Sequence, residues 1–351
     1  MKFFNIDQHI SVIADMKNIF NRLGHSIDDW CLSGHAYVFG RENDANKVPM
    51  LAGENWCSVM NEYKWIEFFD LYRNILDKYD GFIVTYPPVF AYLYGMFNKP
   101  IIVNVPIRYD YGMHTDKIKI NQFNEYLAGD NIILVANNKF DKQYMKALGD
   151  LDSVHIPSLC DYTGMKYAGS INNILYYATK NIDFMESKSF QRKENILHSG
   201  YAWNDLTKFK AIVHLPYQIS TMSIFEQYTA NIPLFVPSID YMMELYNEGI
   251  VLEHYTNYKL YNSKPGSIIP VNGIDPNEYN NAENVKYWLQ FADYYDDEFM
   301  KHTQKFHSID DLVNKLSTVN MSEISESMQI HNIHRREYVF TAWEKIIDAI
   351  K

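Results

Sequence analysis

Short apolar runs alternate along the chain with stretches in which apolar residues recur every three or four positions. Lys2–Asp7 reads as a strand, and Ile10, Ile13, Met16, Ile19, Phe20 and Leu23 then recur at helical spacing. Gly24 stands where a helix C-terminal glycine belongs. Asp28–Ser33 predicts a second strand, Trp65–Tyr79 an amphipathic helix and Gly81–Pro87 a buried strand. Pro87 and Pro88 open the next helix, a position that suits proline. Lys99–Arg108 and Asn131–Asn138 are apolar runs of the kind buried on both faces of a parallel sheet, with a helix at Lys119–Ala128 between them.

Turn formers cluster over Val154–Asn172, and the domain boundary is placed there. Alternation then resumes. Strands are predicted at Asn173–Asn181, Asn195–Tyr201, Ala211–Tyr217 and Ile232–Ser238. Helices are predicted at Phe184–Glu194, Asp205–Lys210, Thr221–Asn231 and Ile239–Gly249. Val251–Glu283 is loop-rich, and the tail is helical at Asn284–Tyr295, Ser308–Ser317 and Arg335–Ile350. This βα alternation implies an α/β protein: two tandem Rossmann-like domains with parallel sheets, spanning residues 1–160 and 170–325, followed by a C-terminal segment 326–351.

Composition agrees. A chain of 351 residues, 47% of them hydrophobic, is comfortable as two domains, each with a real core. A net charge of −11 argues against a general nucleic-acid binder. Cys31, Cys57 and Cys160 lack the number and spacing of a disulfide framework or zinc site, so a reducing compartment is expected. The N-terminus lacks the pattern of a signal peptide. The most apolar run, Phe82–Phe97, is shorter than the roughly 20 residues of a spanning helix and is broken by proline. A soluble cytoplasmic protein without a transmembrane segment is expected.

Ligands of open α/β sheets bind beyond the carboxyl ends of the strands. The loop Pro216–Ser223 leaves a buried strand and enters a helix through Ser220, Thr221 and Ser223, which makes it a natural phosphate site. Glu226 has two readings. It closes a capping box with Ser223, or its carboxylate receives a sugar diol. Lys180 and Arg108 end predicted strands and could meet a diphosphate. Tyr201 and Trp203 could stack on a base or sugar. Asp150–Asp152 has an Asp-x-Asp pattern but follows a helix end, and His331-x-x-His334 suggests no third metal ligand. No P-loop, GxSxG or GxGxxG motif occurs.

Tyr217–Ser238 resembles the donor-binding segment of GT-B glycosyltransferases, which use two Rossmann-like domains facing across a cleft and a nucleotide-sugar donor. Many retaining members carry Glu-x7-Glu at this place. Glu226 matches the second Glu, which binds the ribose, whereas Gln218 stands where the first would be. The resemblance implies a donor side in the second domain, formed by Glu226, Ser220, Thr221, Ser223, Gln218, Lys180, Tyr201 and Arg108, and an acceptor side in the first. It also implies that the last helix crosses back to the first domain, with Trp343 as packing. His9 follows the first strand, as does the catalytic base of several inverting members, with Asp7 to orient it and Asp110 or Asp15 as alternatives. The expected activity is metal-independent transfer of a hexosyl or pentosyl group from a nucleotide-diphosphate sugar to the hydroxyl of a glycan or other acceptor, with no cofactor. A nucleotide-sugar epimerase of the same fold, or a non-catalytic nucleotide or sugar binder, is the alternative.

Overall fold

The computed structural model describes residues 1–113, 116–178, 189–197, 202–261 and 274–351. The chain divides into two compact units. One comprises Met1–Ser158, Tyr261–Asn277 and Val339–Lys351; the other comprises Leu159–Leu260 and Glu278–Tyr338.

The first unit contains, in chain order, β1 (Lys2–Asp7), α1 (Ile10–Arg22), β2 (Ser26–Cys31), α2 (Glu62–Leu76), β3 (Gly81–Val84), β4 (Ile101–Val105), α3 (Lys117–Leu127), β5 (Ile132–Ala136), α4 (Lys139–Gly149) and β6 (Val154–His155). Among the described residues these strands form one six-stranded sheet, ordered β2-β1-β3-β4-β5-β6, with every pairing parallel. The chain builds outward from β1 in one direction and then the other. With right-handed crossovers, that reversal puts helices on both faces. β3 and β4 are therefore buried along their whole length, as their unbroken apolar sequence requires. The residues of Pro88–Phe97, expected as a helix, form a 3₁₀ run.

The second unit contains β7 (Ile171–Tyr177), β8 (Phe190–Arg192), α5 (Lys193–Ile196), α6 (Trp203–Thr207), β9 (Phe209–His214), α7 (Met222–Thr229), β10 (Leu234–Pro237), α8 (Ile239–Asn247), α9 (Asn257–Leu260), α10 (Ala282–Leu289), β11 (Gln304–Phe306) and α11 (Ile309–Thr318). Its sheet is again wholly parallel, in the order β11-β10-β9-β7-β8. Here the structure corrects the sequence reading. Phe190–Arg192, placed in a helix, pairs with β7 as an edge strand, while Asn195 and Ile196, placed in a strand, end α5. Three-residue edge strands carry too few positions to show a period of two.

The long last helix, α12 (Met321–Ala349), contributes Val339 onward to the first unit. There the Trp343 ring meets the Phe20 ring edge-on at 5.4 Å, and Phe20 meets Phe3 of β1 at the same distance. Trp343 is 1% exposed, so it is core. Among the described residues no helix is long and apolar enough to cross a membrane, and Cys31 and Cys160 are buried thiols. Trp343→Ala should destabilise the first unit by about 3–5 kcal/mol, the scale for emptying a buried aromatic site. Ile333→Ala on the exposed face should change stability by less than about 0.5 kcal/mol. Chemical denaturation followed by circular dichroism measures both.

Candidate functional site

Each sheet, among the described residues, has one place where the strand order reverses, the place where open α/β sheets form a crevice. In the second unit that place is between β7 and β9. Their last residues, Tyr177 and His214, are register partners, and their rings stack at 4.7 Å. A pocket of about 260 Å³ opens beside them. Its lining includes Tyr177, Lys193, His214, Tyr217, Thr221 and Ser223.

The N-cap of α7 is Thr221, which makes no side-chain capping bond. Its hydroxyl lies 3.1 Å from that of Ser223, so two half-buried hydroxyls stand together at the positive end of a helix. Lys193, half-buried at the start of α5, lies over the Tyr177 ring at 4.9 Å. Burial depresses the His214 imidazole to about 4, while the hydrogen bond that its Nε2 donates to the Gln227 side-chain oxygen opposes the shift. His214 is thus a neutral ring held in one orientation at the pocket wall.

Ser220 does not join its neighbours. It is buried and its hydroxyl donates to Asp293 Oδ2 at 2.5 Å, so it fixes the loop and is not offered to a ligand. Gln218 donates through its side chain to the Tyr217 hydroxyl at 3.3 Å. Lys180 and Tyr201 lie outside the described residues. Trp203 packs edge-on against Tyr162 at 5.6 Å.

Because the cap of α7 is Thr221, Glu226 lies beyond the first turn and cannot close a capping box with Ser223. Its Oε1 accepts instead from the Tyr162 hydroxyl at 2.5 Å. The residue is 8% exposed. Burial raises its pKa, and the Tyr162 bond and the nearby Lys193 charge only partly offset this. Glu226 is therefore a buried carboxylate whose side chain accepts a hydrogen bond from a tyrosine hydroxyl 64 residues away.

In the first unit the reversal is between β1 and β3. The Gln8 N–H donates to the Tyr86 carbonyl at 2.8 Å, which ties the two loops together. His9 is exposed, and its ring meets Tyr86 edge-on at 5.7 Å. Surrounding protein still crowds the imidazole enough to lower its pKa, and His35 adds to this. Asp7 is fully buried and accepts the backbone N–H of His9 at 2.8 Å. It therefore shapes the loop; the expected orientation of the imidazole by Asp7 is not the bond that forms. Burial also raises the Asp7 pKa. Asp110 accepts from Tyr144, and Asp15 is buried within α1.

Arg108 departs from expectation most clearly. It is 2% exposed, and its Nε pairs with Asp141 Oδ1 at 2.9 Å while the guanidinium lies over Phe140. Asp141 is locked in turn by a reciprocal pair of bonds with Asn138, the N-cap of α4. Arg108 is an internal ion pair, since an arginine buried that deeply needs an acid beside it. Asp150 and Asp152 pair with Lys146 on the surface. His331 meets the Tyr228 hydroxyl and the Glu298 carbonyl, away from the exposed His334. Among the described residues no three His, Cys, Asp or Glu side chains gather as a metal-ligand set.

Sequence reasoning missed Lys193, His214, Tyr177 and Tyr162. Lys193 was hidden in a misassigned helix. His214 and Tyr177 end strands, which was a usable signal. Tyr162 lies in the boundary loop and reaches Glu226 only through folding.

No family model and no curated protein matches the chain. Among solved structures it is similar to the glycotransferase of kitacinnamycin, with a TM-score of 0.48 and 10% identity over 100% of this chain and 99% of that one. It is similar also to the glycosyltransferase SnogD from Streptomyces nogalater, with a TM-score of 0.45 and 8% identity over 99% and 98%. A third is the spinosyn rhamnosyltransferase SpnG complexed with thymidine diphosphate, with a TM-score of 0.44 and 8% identity over 97% and 100%.

The cost of burying the Glu226 carboxylate is readable in a stability measurement. Its folded pKa is raised, so its linkage term is favourable below the unfolded pKa and is lost as pH rises through the folded pKa. Glu226→Gln keeps an acceptor for Tyr162 and removes the charge. Its melting temperature should equal that of the parent near pH 4 and exceed it at pH 8. Equal melting temperatures of variant and parent at both pH values would show that burial does not penalise the carboxylate.

Proposed function

We propose that the chain is a glycosyltransferase that takes a sugar from a nucleotide-diphosphate donor and passes it to an acceptor hydroxyl. The observation that carries this reading is the pocket at the strand-order reversal of the second sheet, where a helix N-terminus, two hydroxyls and a lysine converge. The α7 dipole, Thr221, Ser223 and Lys193 supply donors and positive potential to a diphosphate. The same groups stabilise the charge that grows on the leaving diphosphate, so the reading needs no metal and no cofactor besides the donor. Tyr177, His214 and Tyr217 offer ring faces and edges to the nucleoside, and Glu226 receives the ribose diol.

The acceptor side rests on His9. Its neutral imidazole takes the acceptor hydroxyl proton as that oxygen bonds to the anomeric carbon. The anomeric bond to the diphosphate breaks, and the electron pair leaves with the phosphate oxygen. One base and one displacement imply inversion. Depression of the His9 pKa keeps the imidazole in its accepting form at neutral pH.

Nucleoside diphosphates should raise the melting temperature of the protein in a concentration-dependent way. Lys193→Ala should weaken that binding about 10- to 100-fold, the scale of one charge-assisted contact. The donor assignment fails if no diphosphate stabilises the protein, or if the variant binds as the parent does.

His9→Ala should abolish transfer and leave diphosphate affinity unchanged. In the parent, kcat/KM should hold until the pH falls below about 6.5, the ordinary value for histidine, because the base is depressed. Turnover that survives the substitution removes His9 from the mechanism.

A further inference from the structure

Beside His9 the first unit carries a run of aromatic rings that the transfer chemistry itself does not use. His9 meets Tyr86 at 5.7 Å, Tyr86 meets Tyr111 at 5.3 Å, and Tyr111 stacks with Trp56 at 5.6 Å and 9° between planes. Trp56, Tyr86 and Tyr111 are each half-buried, so none is ordinary core. The shelf is built, not incidental. Trp56 approaches Gly112 so closely that a Cβ there would stand 2.6 Å from its Cζ3, and Gly112 takes a φ of +90°. Only glycine allows both that backbone and that approach. Polar atoms edge the shelf. The Tyr86 hydroxyl bonds that of Tyr111, and exposed His35 lies 6.2 Å from the exposed ring of Tyr37.

Charge narrows what such a shelf can hold. Asp29, whose field reaches Asp7, is paired with both Lys17 and Arg41. Arg41 and Lys47 pair with Asp44, and Arg108 pairs with Asp141. These cations, gathered at the end of β2 next to β1 or buried in the interior, are already paired with carboxylates, so they offer little to an anionic ligand beside His9. An apolar polycyclic ligand would cover the phenol and imidazole edges without giving them partners. A neutral sugar ring matches both features, with a C–H face for the aromatic planes and hydroxyls for the polar edges.

We propose that the acceptor is an uncharged sugar residue laid on the Trp56–Tyr111–Tyr86 shelf, with one hydroxyl turned to His9. This inference rests on the glycosyltransferase reading for the word acceptor, and on the first unit alone for the binding.

The test presents full-length protein to immobilised neutral, sialylated and sulfated oligosaccharides and to planar phenolic compounds. Neutral oligosaccharides should bind. Trp56→Ala should weaken that binding roughly tenfold and Trp56→Phe should keep most of it. If Trp56→Ala does not fold, Tyr111→Phe keeps the ring, removes only the hydroxyl and should lose roughly threefold. A preference for acidic glycans or for phenolic compounds overturns the proposal, as does unchanged binding in the variants. Diphosphate binding is measured in parallel. Neutral-glycan binding without diphosphate binding upholds the shelf and removes the transferase reading. Diphosphate binding and turnover without neutral-glycan binding removes the shelf.

Discussion

The structure depends on one topological constraint: each sheet is wholly parallel and is built outward from an interior strand. Parallel strands need crossovers, and right-handed crossovers in opposite directions leave the sheet on opposite faces. Where the direction changes, the connections leave on opposite faces, which favours a crevice at the carboxyl ends of the strands. In the first sheet the change lies at β1 and β3, where His9 and Tyr86 stand and a backbone bond from Gln8 to Tyr86 joins the two loops. The second has it after β7 and β9, and the pocket opens there. Both candidate sites therefore follow from strand order before any side chain is considered.

Side chains at these edges divide into those that are buried beside a partner and those that keep part of their surface in solvent. Asp7, Ser220, Arg108 and Asp141 are buried, and each meets a partner within its own unit. A buried polar group without a partner costs several kcal/mol, so burial and availability exclude one another. Thr221, Ser223, Lys193 and His9 keep part of their surface in solvent. Glu226 lies between the two classes. Tyr162 holds one of its oxygens, and burial still works against its charge.

Much of this was legible in the sequence. β1, α1, β3, β5, β9, α7 and β10 follow from apolar runs and helical spacing, because each is long enough or buried enough to show its period. β6, β8 and β11 were not foreseen. They have two or three residues and exist through hydrogen bonds to a neighbour that no local pattern announces. The loop Pro216–Ser223 was identified as the place to look, yet not which of its hydroxyls would face a ligand. Ser220 looks the same as Ser223 in sequence, and only Asp293, 73 residues away, distinguishes them.

The sequence by itself determined two α/β units, the strands whose carboxyl ends matter and the helix whose N-terminus faces the pocket, since periodicity and turn chemistry are local. The tertiary structure decided the rest. It assigned Glu226 to Tyr162 and not to a cap, gave Arg108 to Asp141, brought Lys193 to the pocket and set Trp56 close against Gly112. The physical reason is the same in each case. Whether a polar side chain is buried, and beside what, depends on residues distant in the chain, and that environment fixes its charge, its partners and its freedom to meet a ligand.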